Sequence, residues 1–140
     1  MGLKMRFHTD GRVVTAKFRP CDKHIGFKGV VHGGLTATVL DEIMVWVCVV
    51  ATQKFAFCAE LNVRYLGPLT PDVEVFMTSE LVANRRGRVL EARATIRDAA
   101  GKSLAEATGK YMPIVNADVS LMIADFASDA RWLLEPRPTN

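Results

Sequence analysis

The chain has 140 residues and a mass of 15.4 kDa, with 49% hydrophobic and 24% charged residues, which bounds it to one domain with a core of its own. A net charge of +3 is too small to argue for nucleic acid and suits an anionic small molecule as well as it suits plain solubility. Three cysteines, Cys21, Cys48 and Cys58, are odd in number and lack CxxC spacing, which speaks for reduced thiols in a cytoplasmic protein and against a disulfide frame.

Leu3, Met5 and Phe7 alternate with Lys4, Arg6 and His8, the pattern of a half-buried strand, and leave no continuous apolar run for a secretory signal. Asp10-Gly11 turns the chain, "RVVTAKFRP" returns as a second strand, and Pro20 ends it. "CDKHIGFKGV" reads as a loop because Gly26 and Gly29 break any period. Leu35 to Ala51 is free of proline and glycine and apolar nearly all round, which predicts a helix enclosed by protein. Its longest apolar run, Ile43 to Ala51, falls far short of the roughly 20 residues of a membrane span, so no membrane partner is expected. Four strands follow at Phe55 to Leu66, Val73 to Val82, Val89 to Arg97 and Ser103 to Met112, with tight turns at "NRRGR" and "DAAGK". Asp118 then caps "VSLMIADFASDARWLLE", an amphipathic helix that Pro136 stops. Short turns imply antiparallel neighbours, and an all-round apolar helix needs a sheet that curls about it. The expected architecture is α+β, a curved antiparallel sheet wrapped around a long central helix, with an extra C-terminal helix.

Within that central helix the only charges are Asp41 and Glu42, adjacent and costly to bury. His32-Gly33-Gly34 stands just before it. A helix N-terminus offers unpaired N–H groups and a partial positive charge, and glycines let a ligand approach the backbone, so an oxyanion hole can be built there. The alternative is a tight turn and nothing more. Asp41 follows Gly33 by eight residues, about 12 Å along a helix, whereas reacting atoms must come within about 3–3.5 Å. One helix therefore cannot easily supply both groups to one carbon. Two antiparallel copies can, which predicts a two-fold dimer with paired sites. Asp41 could instead be a buried acid paired with an arginine such as Arg64. Neighbouring helical positions diverge by about 100°. Asp41 shares its face with Gly34, Thr38, Val45 and Cys48, which favours it over Glu42, leaving Glu42 as a structural partner.

Cys21, Asp22 and His24 are too few for a metal site, so no metal is expected. No histidine follows His32, so Cys48 and Cys58 read as packing residues and not as nucleophiles. Arg85, Arg86 and Arg88 cluster at a hairpin tip, where guanidinium forks suit phosphate or form an ordinary solvated turn. Met44, Trp46, Phe55 and Phe57 read as core or as acyl-pocket wall.

"VHGGLTATVLDE" resembles the signature of the hotdog-fold acyl-CoA thioesterases of the phenylacetate-degradation (PaaI-like) type, in which HGG is followed after six residues by an acid. "GLKMRF", "DGRVVTAKF", "AELNVRYLGPL" and "RRGRVLEARATIRDAAGKSLAEATGKY" resemble further pieces of such proteins, and the segment beyond Pro113 lies outside the likeness. The resemblance implies a hotdog domain over 1–116 with a helical extension over 117–140, a homodimer and often a dimer of dimers, and hydrolysis of an acyl-CoA thioester with no cofactor beyond the coenzyme A of the substrate. It implies Asp41 as the catalytic acid, Gly33 as the oxyanion amide, and His32 as the residue that shapes the loop beside the thioester. Gly34, Cys58 and Ala59 are implied at the substrate, with Arg85, Arg86 and Arg88 toward its phosphates. Relatives often carry a serine or threonine in place of Cys58 and some an amide side chain in place of Gly26. Two other readings use the same scaffold: a non-catalytic acyl-CoA binder or sensor, and a dehydratase or hydratase working through an acid–histidine pair.

Overall fold

The computed structural model describes residues 3–115 and 122. Strand β1 (Arg6–Thr9) pairs with β2 (Val13–Phe18) in an antiparallel hairpin whose turn is held by Asp10 Oδ1, which accepts from the N–H groups of Arg12 and Val13 at 2.8 Å each. A 3-10 turn at Asp22–His24 leads into a small hairpin, β3 (Ile25–Phe27) with β4 (Val30–Val31). By its residue pattern alone this stretch reads as a loop. Gly29, at φ +66, makes the reversal, and strands of three and two residues are too short to show a period.

Helix α1 (Gly33–Thr52) follows, and then β5 (Ala56–Tyr65), β6 (Val75–Arg85), β7 (Val89–Arg97) and β8 (Ser103–Pro113). The helix begins two residues before the expected Leu35, because His32 caps it and both glycines fall in its first turn. Six strands form one antiparallel sheet in the order β1-β2-β6-β7-β8-β5, and α1 packs against all of them. A flat sheet could not reach a helix from six strands, so the curved wrap expected from the sequence is present. By length and composition α1 could also cross a bilayer; its enclosure by the sheet accounts for that composition.

The core lies between helix and sheet. Val39, Leu40, Ile43, Met44, Val47 and Cys48 are inaccessible on the helix side, and face Val14, Val75, Met77, Leu90, Ile96 and Ala105 from the strands. Burying each large aliphatic side chain contributes about 1.5–3 kcal/mol. Trp46 lies against Phe7 and Phe55, with ring centroids 5.5 and 6.3 Å away. Phe57 is 52% exposed and so lies outside the core, one of the two places expected for it, because period two along β5 turns it away from α1. Opposite β8, the register of β5 shifts between Cys58 and Glu60, making Ala59 the extra residue of a bulge.

At the sheet's two margins are β1, four residues long, and β5, ten residues long and paired only with β8 among the described residues. The C-terminal helix expected over 117–140 lies outside the described residues except for Met122, which packs with Val49 and Phe55.

Candidate active site

His32 sits at the N-cap of α1 with φ −57 and ψ 130, and its Nδ1 accepts from the Gly34 N–H at 2.9 Å. That assigns the ring proton to Nε2. The His32 carbonyl accepts from the N–H groups of Leu35 (2.9 Å) and Thr36 (3.1 Å). Three of the first four helical amides are thereby satisfied. The fourth, Gly33 N–H, has no acceptor among the described residues. It stands at the positive end of a 20-residue helix.

The glycines here answer to space as much as to a ligand. A Cβ on Gly34 would lie 2.9 Å from His32 Nδ1, so the capping bond itself requires glycine. A Cβ on Gly26 would lie 2.8 Å from the His32 Cα, Cβ and Cδ2 atoms. The position where some relatives carry an amide side chain is closed in this chain by the histidine. By contrast, a Cβ on Gly33 would meet only Tyr65, at an ordinary 3.5 Å. Tyr65 donates its hydroxyl to the Gly33 carbonyl at 2.8 Å and ties the first turn to the C-terminal end of β5.

Two turns further along α1, Asp41 turns toward the sheet. Its partner is not Arg64, which stands on the outer face 4.0 Å from Glu106. It is Tyr111 on β8, whose hydroxyl donates to Asp41 Oδ1 at 2.7 Å. Tyr111 is fully buried, and burial first, then the Asp41 carboxylate, push its phenol far above its ordinary value, so it remains a donor. Cys58, opposite Tyr111 in the β5–β8 register, stands beside the same carboxylate. Burial and then the charge of Asp41 raise its thiol, whose hydrogen bond goes to the Glu60 carbonyl at 3.5 Å. Cys48 is pushed up from 9.0 to about 12, chiefly by burial. Neither thiol is disposed to become a thiolate, in keeping with a packing role. Glu42 is exposed, and its Oε1 accepts from Trp46 Nε1 at 3.2 Å.

The arginine cluster lies on the β6–β7 hairpin. Arg85 is held by Glu91 at 2.6 Å, while Arg86, at φ +55 in the turn, and Arg88 are exposed and make no ion pair among the described residues. Leu90 pairs with Tyr111 and Tyr111 with Cys58, so this hairpin tip lies at the Asp41 end of the sheet, two strands from β5. The structure thus gathers Asp41 with Cys58, and His32 with Gly33 and Gly34. Within one chain it leaves the two groups at opposite ends of β5, Tyr65 marking one and Cys58 the other. Ala59, the bulged residue, is exposed beside the second.

Sequence reasoning missed Tyr111, Tyr65 and Gly109. A Cβ on Gly109 would lie 2.5 Å from the Tyr111 Cε2 atom, so the glycine makes the seat for the ring. Period two offered a signal: Ala105, Ala107, Gly109 and Tyr111 form one inward row of small residues ending in a phenol that needs a partner.

The family model described as the thioesterase superfamily matches residues 28–105, more than half of the chain. No curated protein sequence matches it. Among solved structures, a Streptococcus mutans protein bound to acetyl-CoA is similar with a TM-score of 0.73, 19% identity, and coverage of 79% of this chain and 89% of that one. Zebrafish thioesterase superfamily member 2 is similar with a TM-score of 0.72 at 19% identity, covering 78% and 80%. The Escherichia coli PaaI protein of the phenylacetic acid degradation operon gives 0.72 at 15% identity, covering 80% of each chain. Such identities speak for the fold, and the family match speaks for descent: this chain belongs to the thioesterase superfamily and has the PaaI-like hotdog fold.

Proposed function

We propose that the protein is an acyl-CoA thioesterase whose two active sites form between the subunits of a homodimer. The observation that carries this reading is the placement of the Gly33 N–H, without an acceptor among the described residues, and the Asp41 carboxylate at opposite ends of β5, whose outer edge has no strand partner among the described residues. Two-fold antiparallel pairing of β5 with its copy would lay the Tyr65 end of one strand beside the Cys58 end of the other. Gly33 of one subunit then approaches Asp41 of its partner, at each of two equivalent sites. An edge of ten residues also needs such cover, since unpaired strand edges invite association.

In this mechanism the Gly33 N–H and the positive end of α1 stabilise charge developing on the thioester oxygen. Asp41 of the other subunit, ionised, takes a proton from water as it attacks the carbonyl, or attacks the carbonyl itself to form a mixed anhydride that water opens. Both routes release free acid and coenzyme A and need no further cofactor. The acetyl-CoA held by the Streptococcus mutans neighbour supports the ligand class. Exposed Arg86 and Arg88 at the Asp41 end of the sheet suit the phosphates of that ligand.

His32 at ψ 130 already has the backbone that precedes proline, and Gly33 is the first helical residue, where proline is accepted. Gly33→Pro therefore deletes the amide proton with little change to the helix. Over a panel of acyl-CoAs, released thiol is expected to fall about 10²–10³-fold in Gly33→Pro and about 10²–10⁴-fold in Asp41→Asn. Mixed dimers of the two inactive variants carry one intact site and should recover activity. Full turnover by Asp41→Asn, or tight acyl-CoA binding by a parent protein that never releases thiol, would refute the hydrolytic reading.

A further inference from the structure

Tyr111 is the largest fully buried side chain among the described residues, and the hydrolysis outlined above gives it no task. We propose that Tyr111 is a positioning residue for the Asp41 carboxylate: its hydroxyl holds Oδ1 and fixes the orientation in which the carboxylate meets the water or the thioester carbon. The proposal rests on the hydrolytic reading and names the part of this chain that aims its carboxylate.

Geometry carries it. The 2.7 Å bond joins residues 70 apart in sequence, between the centre of the helix and a strand flanked on both sides. The ring is fixed by its seat over Gly109 and by Leu90 and Cys58 as cross-strand neighbours. Rotation of the Asp41 carboxylate is thereby restricted, as a reacting group held to near-attack geometry requires.

The choice of partner matters too. Among the described residues, the groups facing Asp41 are Tyr111 from β8 and Cys58 from β5, while Cys48 stands two turns along its own helix. Inward positions of β2, β6 and β7 carry only apolar residues and Ser79, whose hydroxyl bonds the Arg93 carbonyl at 2.9 Å, and Phe7 faces inward from β1. No basic side chain forms an ion pair with Asp41 among the described residues. A guanidinium there would hold the carboxylate ionised and weaken it as a base. A phenol orients the same oxygen without a full positive charge, and burial keeps its own proton in place.

Tyr111→Phe removes one oxygen and keeps the ring. Losing a hydrogen bond to a charged group is expected to lower kcat about 10–100-fold, with KM changed less than about threefold. A packing role alone would lower the melting temperature and leave kcat at the parent rate. Far-UV circular dichroism and a thermal melt check the fold; if Tyr111→Phe does not fold, Gly109→Ala, which forces the ring off its seat, is expected to lower kcat with the same small change in KM. A folded Tyr111→Phe with kcat within about twofold of the parent overturns the proposal. Two failures remain distinct: full turnover in Asp41→Asn removes the hydrolytic role and the positioning role together, whereas an inactive Asp41→Asn beside an unchanged Tyr111→Phe removes only the latter.

Discussion

Strand β8 presents Glu106, Thr108 and Lys110 on one face of the sheet and Ala107, Gly109 and Tyr111 on the other. On the outer face, charges meet charges across strands. Lys110 lies 3.3 Å from Glu60, Arg85 is held by Glu91, Arg93 forks onto Glu80, and Arg64 reaches Glu106 at 4.0 Å, all with water close by. On the inner face, among the described residues, one carboxylate is present and it is matched with a neutral phenol. A chain with 18 basic residues has placed none of those it describes in ion-pair contact with Asp41. The contrast teaches that a paired charge on this outer face is a solvated surface, whereas the half-buried acid that faces the sheet is held by a neutral donor with no ion pair among the described residues.

The comparison is sharpest within β8 itself. Gly109→Ala should destabilise the protein by about 1–3 kcal/mol in urea unfolding, because the new methyl enters the Tyr111 ring. Its neighbour Thr108→Ala should stay within about 0.5 kcal/mol of the parent. Equal effects at the two positions would erase the distinction between faces.

A smaller effect separates the two faces by pH. Cys48 is inaccessible and its thiol is pushed from 9.0 to about 12 by burial, so the folded state keeps a proton that the unfolded state releases. That stability is complete below pH 9.0 and is lost as pH rises toward about 12. Between about pH 8 and about pH 10 the parent should lose about 1 kcal/mol by this route, and Cys48→Val should remove that slope. A slope unchanged by the substitution would place the alkaline weakness elsewhere. The smallest effect belongs to the outer face: Arg93→Ala, breaking a pair that is largely exposed, should cost about 0–1 kcal/mol and leave thiol release at the parent rate.

Residue patterns carried the secondary structure well where the period was long. The apolar helix, the five longer strands and the tight turns were all legible, because alternation and turn chemistry are local. The small hairpin at Ile25–Val31 was not, since so few residues cannot display a period. The site divides in the same way. His32, Gly33, Gly34 and Asp41 lie within one continuous segment, so their spacing could be read directly. Phe57 could not be placed, because hydrophobicity alone does not say which face of an edge strand a residue takes.

By itself, then, the amino-acid order determined a central apolar helix and the strands that must enclose it, since these depend on neighbours within a turn or two. Only the tertiary structure decided what Asp41 touches. Its partner comes from β8, far along the chain, through a register that also required a glycine beneath the ring. Contacts of that range depend on strand order and pairing, which no local period encodes.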